Sequence, residues 1–84
     1  MKKTQVAEKI LSLGNELFQK STSNLSVKDL YTHYEMSSID VLEFMLSIEN
    51  EFNFEFDDNY LDGEILKDID LLIDYIQNNV SDGE

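Results

Sequence analysis

The chain has 84 residues, 42% hydrophobic and 11% aromatic, with no Cys, Pro or Trp. This is room for one small domain around a single core, and the absence of Cys excludes a disulfide framework, a thiolate metal site and a thiol nucleophile. The net charge of -12 is spread unevenly. Residues 1–35 carry five Lys against Glu8, Glu16, Asp29 and Glu35, whereas residues 36–84 carry fourteen acids against Lys67 alone. With no basic patch in the second half, nucleic-acid binding is disfavoured there. Such a surface suits basic partner surfaces, or it simply keeps a small protein dissolved. Met1-Lys2-Lys3 has the look of a signal-peptide start, but Thr4, Gln5, Glu8 and Lys9 interrupt any apolar run, so the start reads as mature protein. No apolar run reaches membrane-spanning length. A cytoplasmic, monomeric domain without membrane insertion is expected.

Residues 4–18 predict the first helix. Val6, Ile10, Leu13 and Leu17 fall on one stripe of a 3.6-residue period, and Phe18 widens its end. Gly14 costs the helix roughly 1 kcal/mol against Ala, which points to close packing at that position. Residues 19–36 form a long connection that opens on Gln19-Lys20-Ser21-Thr22-Ser23-Asn24 and is pinned to the core by Leu25, Val27 and Leu30. Ser26-Val27-Lys28-Asp29 has capping-box spacing and predicts a short helical turn. His33, the only His, lies between Tyr31 and Tyr34 and reads as a packing residue, with no second ligand or orienting carboxylate beside it.

The second helix is predicted over 38–52, with Ser37 as N-cap, Asp40 at N3 and Ser38 at N1. Val41, Phe44, Met45, Ile48 and Phe52 share the arc that faces a core. Ile39, Leu42 and Leu46 make a second apolar stripe beside it, bordered by Glu43, Glu49 and Asn50. Either that stripe packs under the long loop, or it is left exposed with an acidic rim, as partner-docking surfaces are.

Residues 53–56 alternate too briefly for a strand. Asp57-Asp58 can cap a short helical segment from near Asn59, with Tyr60, Leu61, Ile65 and Leu66 on its apolar side. A calcium loop fails here: with Gly63 at the sixth position, Asp58 and Asp62 fall first and fifth, but Tyr60 takes the third and Ile69 the twelfth. Residues 68–80 predict the last helix, with Asp68 as N-cap, an inner stripe of Ile69, Leu72, Ile73, Ile76 and Val80, and Asp70 and Asp74 facing away. Residues 81–84 read as a frayed tail. The fold class is all-α: a small four-helix bundle of three long helices and one short, with a long first loop.

Enzymatic chemistry lacks its parts. There is one His, no Cys and no Gly-rich phosphate loop, and the carboxylates of so small a bundle mostly face water. No enzyme and no metal site is expected. Ser38 offers a different chemistry. A serine at a helix N-terminus, reached through an open loop, is accessible to a modifying enzyme, and a phosphodiester there would meet free N–H groups and the positive end of the helix dipole. Taken alone, a serine at a helix start is also an ordinary cap.

The run Ser37-Ser38-Ile39-Asp40-Val41-Leu42-Glu43, continuing to Glu49-Asn50-Glu51-Phe52, resembles the acyl carrier protein family. That family has an Asp-Ser-Leu motif followed by an acid and a long helix ending in acids and Phe. Ile73-Asp74-Tyr75-Ile76 is similar to the family's last helix, and the resemblance covers roughly residues 4–80 through length, acidity, loop and helix order. It implies 4′-phosphopantetheine, drawn from coenzyme A by a phosphopantetheinyl transferase, attached to Ser38. An acyl group carried as a thioester would then serve fatty-acid, polyketide or related lipid biosynthesis. It also implies docking through Ile39, Asp40, Leu42, Glu43, Leu46 and Glu49 onto basic patches of a loading ligase or transferase and of downstream synthase enzymes. A short acyl chain would shelter between helices near Met45. Ser37 stands where the family usually has Asp, Asn50 where an acid is common, and Asp57 where a proline is frequent. These departures favour a dedicated pathway carrier over a housekeeping one. An aminoacyl or peptidyl carrier, including a D-alanyl type, shares fold and serine and stays open, as does an unmodified acidic adaptor.

Overall fold

The computed structural model describes residues 2–21, 27–60 and 63–80. Among them the structure is all-helical, with no strand: α1 Lys3–Phe18, α2 Leu30–His33, α3 Ser38–Phe52, two 3₁₀ turns at Asp58–Tyr60 and Glu64–Lys67, and α4 Ile69–Asn79. No helix among the described residues is long and apolar enough to cross a membrane.

The buried side of α1 is Val6, Ala7, Ile10, Leu11 and Gly14. The expected stripe is therefore rotated about its axis: Leu13 is only half-buried and Leu17 is exposed. The cause is Tyr34, just after α2, which occupies the notch at Gly14. A β-carbon at Gly14 would lie 2.6 Å from the Tyr34 ring, so bare backbone is needed there. The Tyr34 hydroxyl donates to Asn15 Oδ1 at 2.9 Å, with the Leu11 carbonyl at 3.3 Å. Its ring meets Phe18, Phe44 and His33 at centroid distances of 5.3, 6.1 and 4.7 Å. His33 thus packs beside a tyrosine, as its neighbours in the sequence suggest.

The long connection differs from its reading in one respect. The helical turn does not follow Ser26; it begins at Leu30 with Asp29 as its cap. The Asp29 carboxylate accepts from the Thr32 backbone N–H at 2.9 Å and from the Thr32 hydroxyl at 3.0 Å, which satisfies the first turn locally. Leu30 is fully buried and Val27 packs at the edge of the core, while Leu25 and Ser26 lie outside the described residues. The Ile69 N–H donates to the Lys28 carbonyl at 2.8 Å and fastens this connection to the start of α4.

On α3, Val41, Phe44, Met45, Ile48 and Phe52 are all buried, the arc expected to face the core. Asn53 ends the helix in the left-handed region (φ 59), where Asn is tolerated. The chain then lays Phe54 and Phe56 against Tyr75 of α4, the Phe56 and Tyr75 rings stacking at 5.5 Å. The Asp57 N–H donates to the Tyr75 hydroxyl at 2.8 Å.

The short helix expected from Asn59 is instead the pair of 3₁₀ turns. Gly63 separates them at φ 86, a left-handed conformation that an α-helix cannot pass through. Gly63 also backs onto α3, because a β-carbon there would meet Val41 at 2.8 Å. Ile65 and Leu66 are buried as read, Tyr60 is partly exposed, and Leu61 lies outside the described residues. Asp68 caps α4 through the N–H groups of Asp70 (3.0 Å) and Leu71 (3.5 Å). Ile69, Leu72, Ile73 and Ile76 point inward, Val80 is half-buried, and the tail 81–84 is outside the described residues.

Exposed ion pairs cross between helices: Lys9–Glu51 at 2.9 Å joins α1 to α3, and Lys3–Asp74 at 3.5 Å joins α1 to α4. Lys28–Asp70 and Lys67–Glu64 raise the pKa of each lysine, through hydrogen bonding first and Coulomb attraction second. Such pairs each add little in water. The larger electrostatic effect is mutual repulsion among the surplus acids. Added NaCl is therefore expected to raise the thermal unfolding midpoint, and a midpoint that falls with salt would show that the ion pairs dominate. Gly14→Ala should lower stability by about 1 kcal/mol or more in urea unfolding, because displacing the doubly tethered Tyr34 outweighs the gain in helix propensity. Ser12→Ala, at an exposed position of the same helix, should not.

Candidate functional site

The N-terminus of α3 is held by a turn, a staple and a capping box. Glu35, at φ 50, and the Met36 N–H, bonded to the Tyr31 carbonyl at 3.1 Å, turn the chain sharply out of α2. Met36 and Val41 are both buried in the core and occupy the two positions of a hydrophobic staple, which sets the angle at which the chain enters the helix. The capping box expected from the sequence is present. Ser37 Oγ accepts from the Asp40 N–H at 3.2 Å, and Asp40 Oδ2 accepts from the Ser37 N–H at 3.0 Å.

That box separates the roles of two adjacent serines. Ser37 closes the helix, and Ser38 at N1 is exposed with no part in the cap. The first intrahelical bond is Val41 N–H to the Ser37 carbonyl at 3.0 Å. Since the box uses the N–H groups of Ser37 and Asp40, those of Ser38 and Ile39 are left pointing out of the helix end. A phosphodiester esterified to Ser38 Oγ fits this arrangement: the hydroxyl is accessible, two backbone donors are close, and the helix dipole favours negative charge.

The second apolar stripe of α3 is exposed. Ile39, Leu42 and Leu46 retain 72%, 50% and 53% of their accessible surface. The alternative in which the long loop covers them is therefore not adopted. Glu43 is exposed beside them, and Asp40 and Glu49 are half-exposed at the margins. Glu49 has a task of its own: its Oε2 accepts from the Phe56 N–H at 2.7 Å, anchoring the segment after α3. The structure thus brings Ser38, Ile39, Leu42, Glu43 and Leu46 to one exposed flank of one helix. Met45 faces the other way, closed into the core at 1% exposure.

Leu71 of α4, 58% exposed, is a further exposed aliphatic residue, one that the sequence reading did not single out. With Tyr60, Ile65 and Tyr75 it lines a groove of about 530 Å³, edged by Asn59, Glu64 and Asn78. Its signal was available, because Leu71 is the one aliphatic residue of α4 that falls off the Ile69, Leu72, Ile73, Ile76 stripe. No group of three or more His, Cys, Asp or Glu side chains among the described residues is placed to hold a metal ion. Against protein-family models, characterised proteins and solved structures, the chain finds no match.

The separation of cap from exposed serine is measurable. Ser37→Ala should cost about 1 kcal/mol in urea unfolding through the lost cap, whereas Ser38→Ala should stay within about 0.5 kcal/mol. Equal losses would mean that both hydroxyls serve the helix.

Proposed function

We propose that this protein is a phosphopantetheine-dependent acyl carrier of the acyl-carrier-protein type, with Ser38 as the attachment residue and the exposed flank of α3 as its docking surface. The observation that carries this reading is the division of labour at the start of α3: Ser37 caps the helix, and Ser38, one residue on, presents a free-standing hydroxyl beside unused backbone N–H groups. Neither a cap nor a core needs that second serine. The uncovered Ile39/Leu42/Leu46 stripe beginning at the next residue supports the same reading, because the hydroxyl and the docking face are then met by an enzyme in one approach.

On this reading the chain performs no catalysis. In the transferase, Ser38 Oγ gives up its proton and bonds to the phosphorus of the 4′-phosphopantetheine moiety of coenzyme A, and the pyrophosphate bond breaks to release adenosine 3′,5′-bisphosphate. The N–H groups of Ser38 and Ile39 and the positive end of α3 stabilise the phosphodiester against the acidic background of the molecule. When bound, the arm supplies a thiol on which an acyl group is held as a thioester. Asp40, tied back to the Ser37 N–H, keeps the helix end rigid while the arm moves. Loading and synthase enzymes dock on the flank weakly and release quickly, as successive partners require.

Incubation with coenzyme A and a broad-specificity phosphopantetheinyl transferase, read by intact mass, tests the assignment. The wild type should gain one phosphopantetheine, Ser37→Ala should still gain it, and Ser38→Ala should gain none. A wild type that stays unmodified, or a Ser38→Ala variant modified to the same extent, overturns the proposal.

A further inference from the structure

The sequence presents α3 as an acidic helix, carrying Asp40, Glu43, Glu49 and Glu51. The structure commits three of these four within the molecule. Asp40 Oδ2 accepts from the Ser37 N–H at 3.0 Å and sits against the positive end of its own helix, which offsets its charge. Glu49 Oε2 accepts from the Phe56 N–H at 2.7 Å, in a half-buried position. Glu51 Oε2 is paired with Lys9 Nζ at 2.9 Å. Among the described residues, Glu43 is the one acid of these four that is exposed with no such engagement.

The helical wheel sharpens this distribution. At about 100° per residue, Ile39, Leu42, Glu43, Leu46 and Asn50 fall within one arc of roughly 100°. Asp40 lies about 60° outside one edge of that arc and Glu51 farther round toward α1, as its pairing with Lys9 requires, whereas Glu49 lies about 20° outside the other edge, half-buried and held by the Phe56 N–H. The far end of the flank is closed by the amide of Asn50, and its near end by the hydroxyl of Ser38. The exposed flank therefore presents three aliphatic side chains, one hydroxyl, one amide and a single unengaged carboxylate.

We infer, resting on the assignment of Ser38 above, that the partner surface fitting this flank is an apolar groove for Ile39, Leu42 and Leu46 with one cationic side chain opposite Glu43, and not a basic patch running along the helix. Dewatered aliphatic contacts supply most of the affinity of such a surface. The one charge pair sets orientation and register. The net charge of -12 still draws cationic partners from a distance, but this attraction is general and does not choose a residue on α3.

The test is the rate of Ser38 loading by a broad-specificity phosphopantetheinyl transferase with coenzyme A, measured as kcat/KM for the carrier. At about 0.15 M salt the screening length is roughly 8 Å, so charges beyond the contact contribute little. Leu42→Ala and Leu46→Ala should each lower kcat/KM about tenfold, chiefly through KM, and Glu43→Gln about threefold to fivefold. Asp40→Asn and Glu49→Gln remove charge but keep an oxygen for the Ser37 and Phe56 N–H groups, and they should stay within about twofold. Circular dichroism confirms that each variant is folded. If Asp40→Asn or Glu49→Gln slows loading as much as Glu43→Gln does, or if the leucine variants load at the wild-type rate, the inference is wrong while the Ser38 assignment stands. A wild type that is never loaded sinks both.

Discussion

The seating of Tyr34 in the notch at Gly14 is the contact on which the rest of the arrangement depends. The chain has to cross a long, polar connection between α1 and α3, and a polar segment has little apolar surface with which to fix its own end. Tyr34 does so with one ring, which packs on Phe18 and Phe44 while its hydroxyl reaches α1 at Asn15. Only two residues separate Tyr34 from the cap at Ser37. Fixing the tyrosine therefore fixes Met36, the staple and the entry angle of α3. The price is a glycine inside α1; between the 3₁₀ turns, Gly63 is a second bare backbone, which lets them lie against Val41 of α3.

With α3 held from both sides, its two apolar faces acquire different fates. The Val41, Phe44, Met45, Ile48, Phe52 face closes the core. The Ile39, Leu42, Leu46 face keeps half or more of its surface in water. An exposed row of large aliphatic side chains is costly to keep on a small protein unless something binds it. Its position directly after an accessible serine links the two features physically, since both are reached from one side of one helix. The acids nearby carry more structural work than their number suggests. They close a capping box, hold a loop amide and pair with α1, and the proposed docking face is less charged than the composition of its helix.

The resemblance to acyl carriers and the physical reading of the site meet at Ser38 from different directions. The resemblance locates a serine by the pattern of acids and apolar residues around it. The geometry assigns the cap to Ser37 and leaves Ser38 outside it. On the proposed reading, Ser37 stands where the family usually has an aspartate and keeps the cap without its charge.

Helix α3 and its cap were legible in the sequence, because amphipathic period and capping chemistry are local: Ser37, Asp40 and the five core residues lie within five turns of one another. Helix α4 was legible for the same reason, through Asp68 and its inner stripe. The rotation of α1 was not, because it is set by Tyr34, distant in the chain, and periodicity alone places Leu13 and Leu17 on the inner stripe and leaves Leu11 off it. The short helical turn was placed too early, since Ser26 and Asp29 are both good caps and only contacts made by Leu30 and Thr32 choose between them. Sequence by itself thus determined the three long helices, the acidity and the serine pair. Tertiary structure alone decided whether the second apolar stripe of α3 would be covered and which of its acids would remain free, because both depend on what the rest of the chain packs and bonds against.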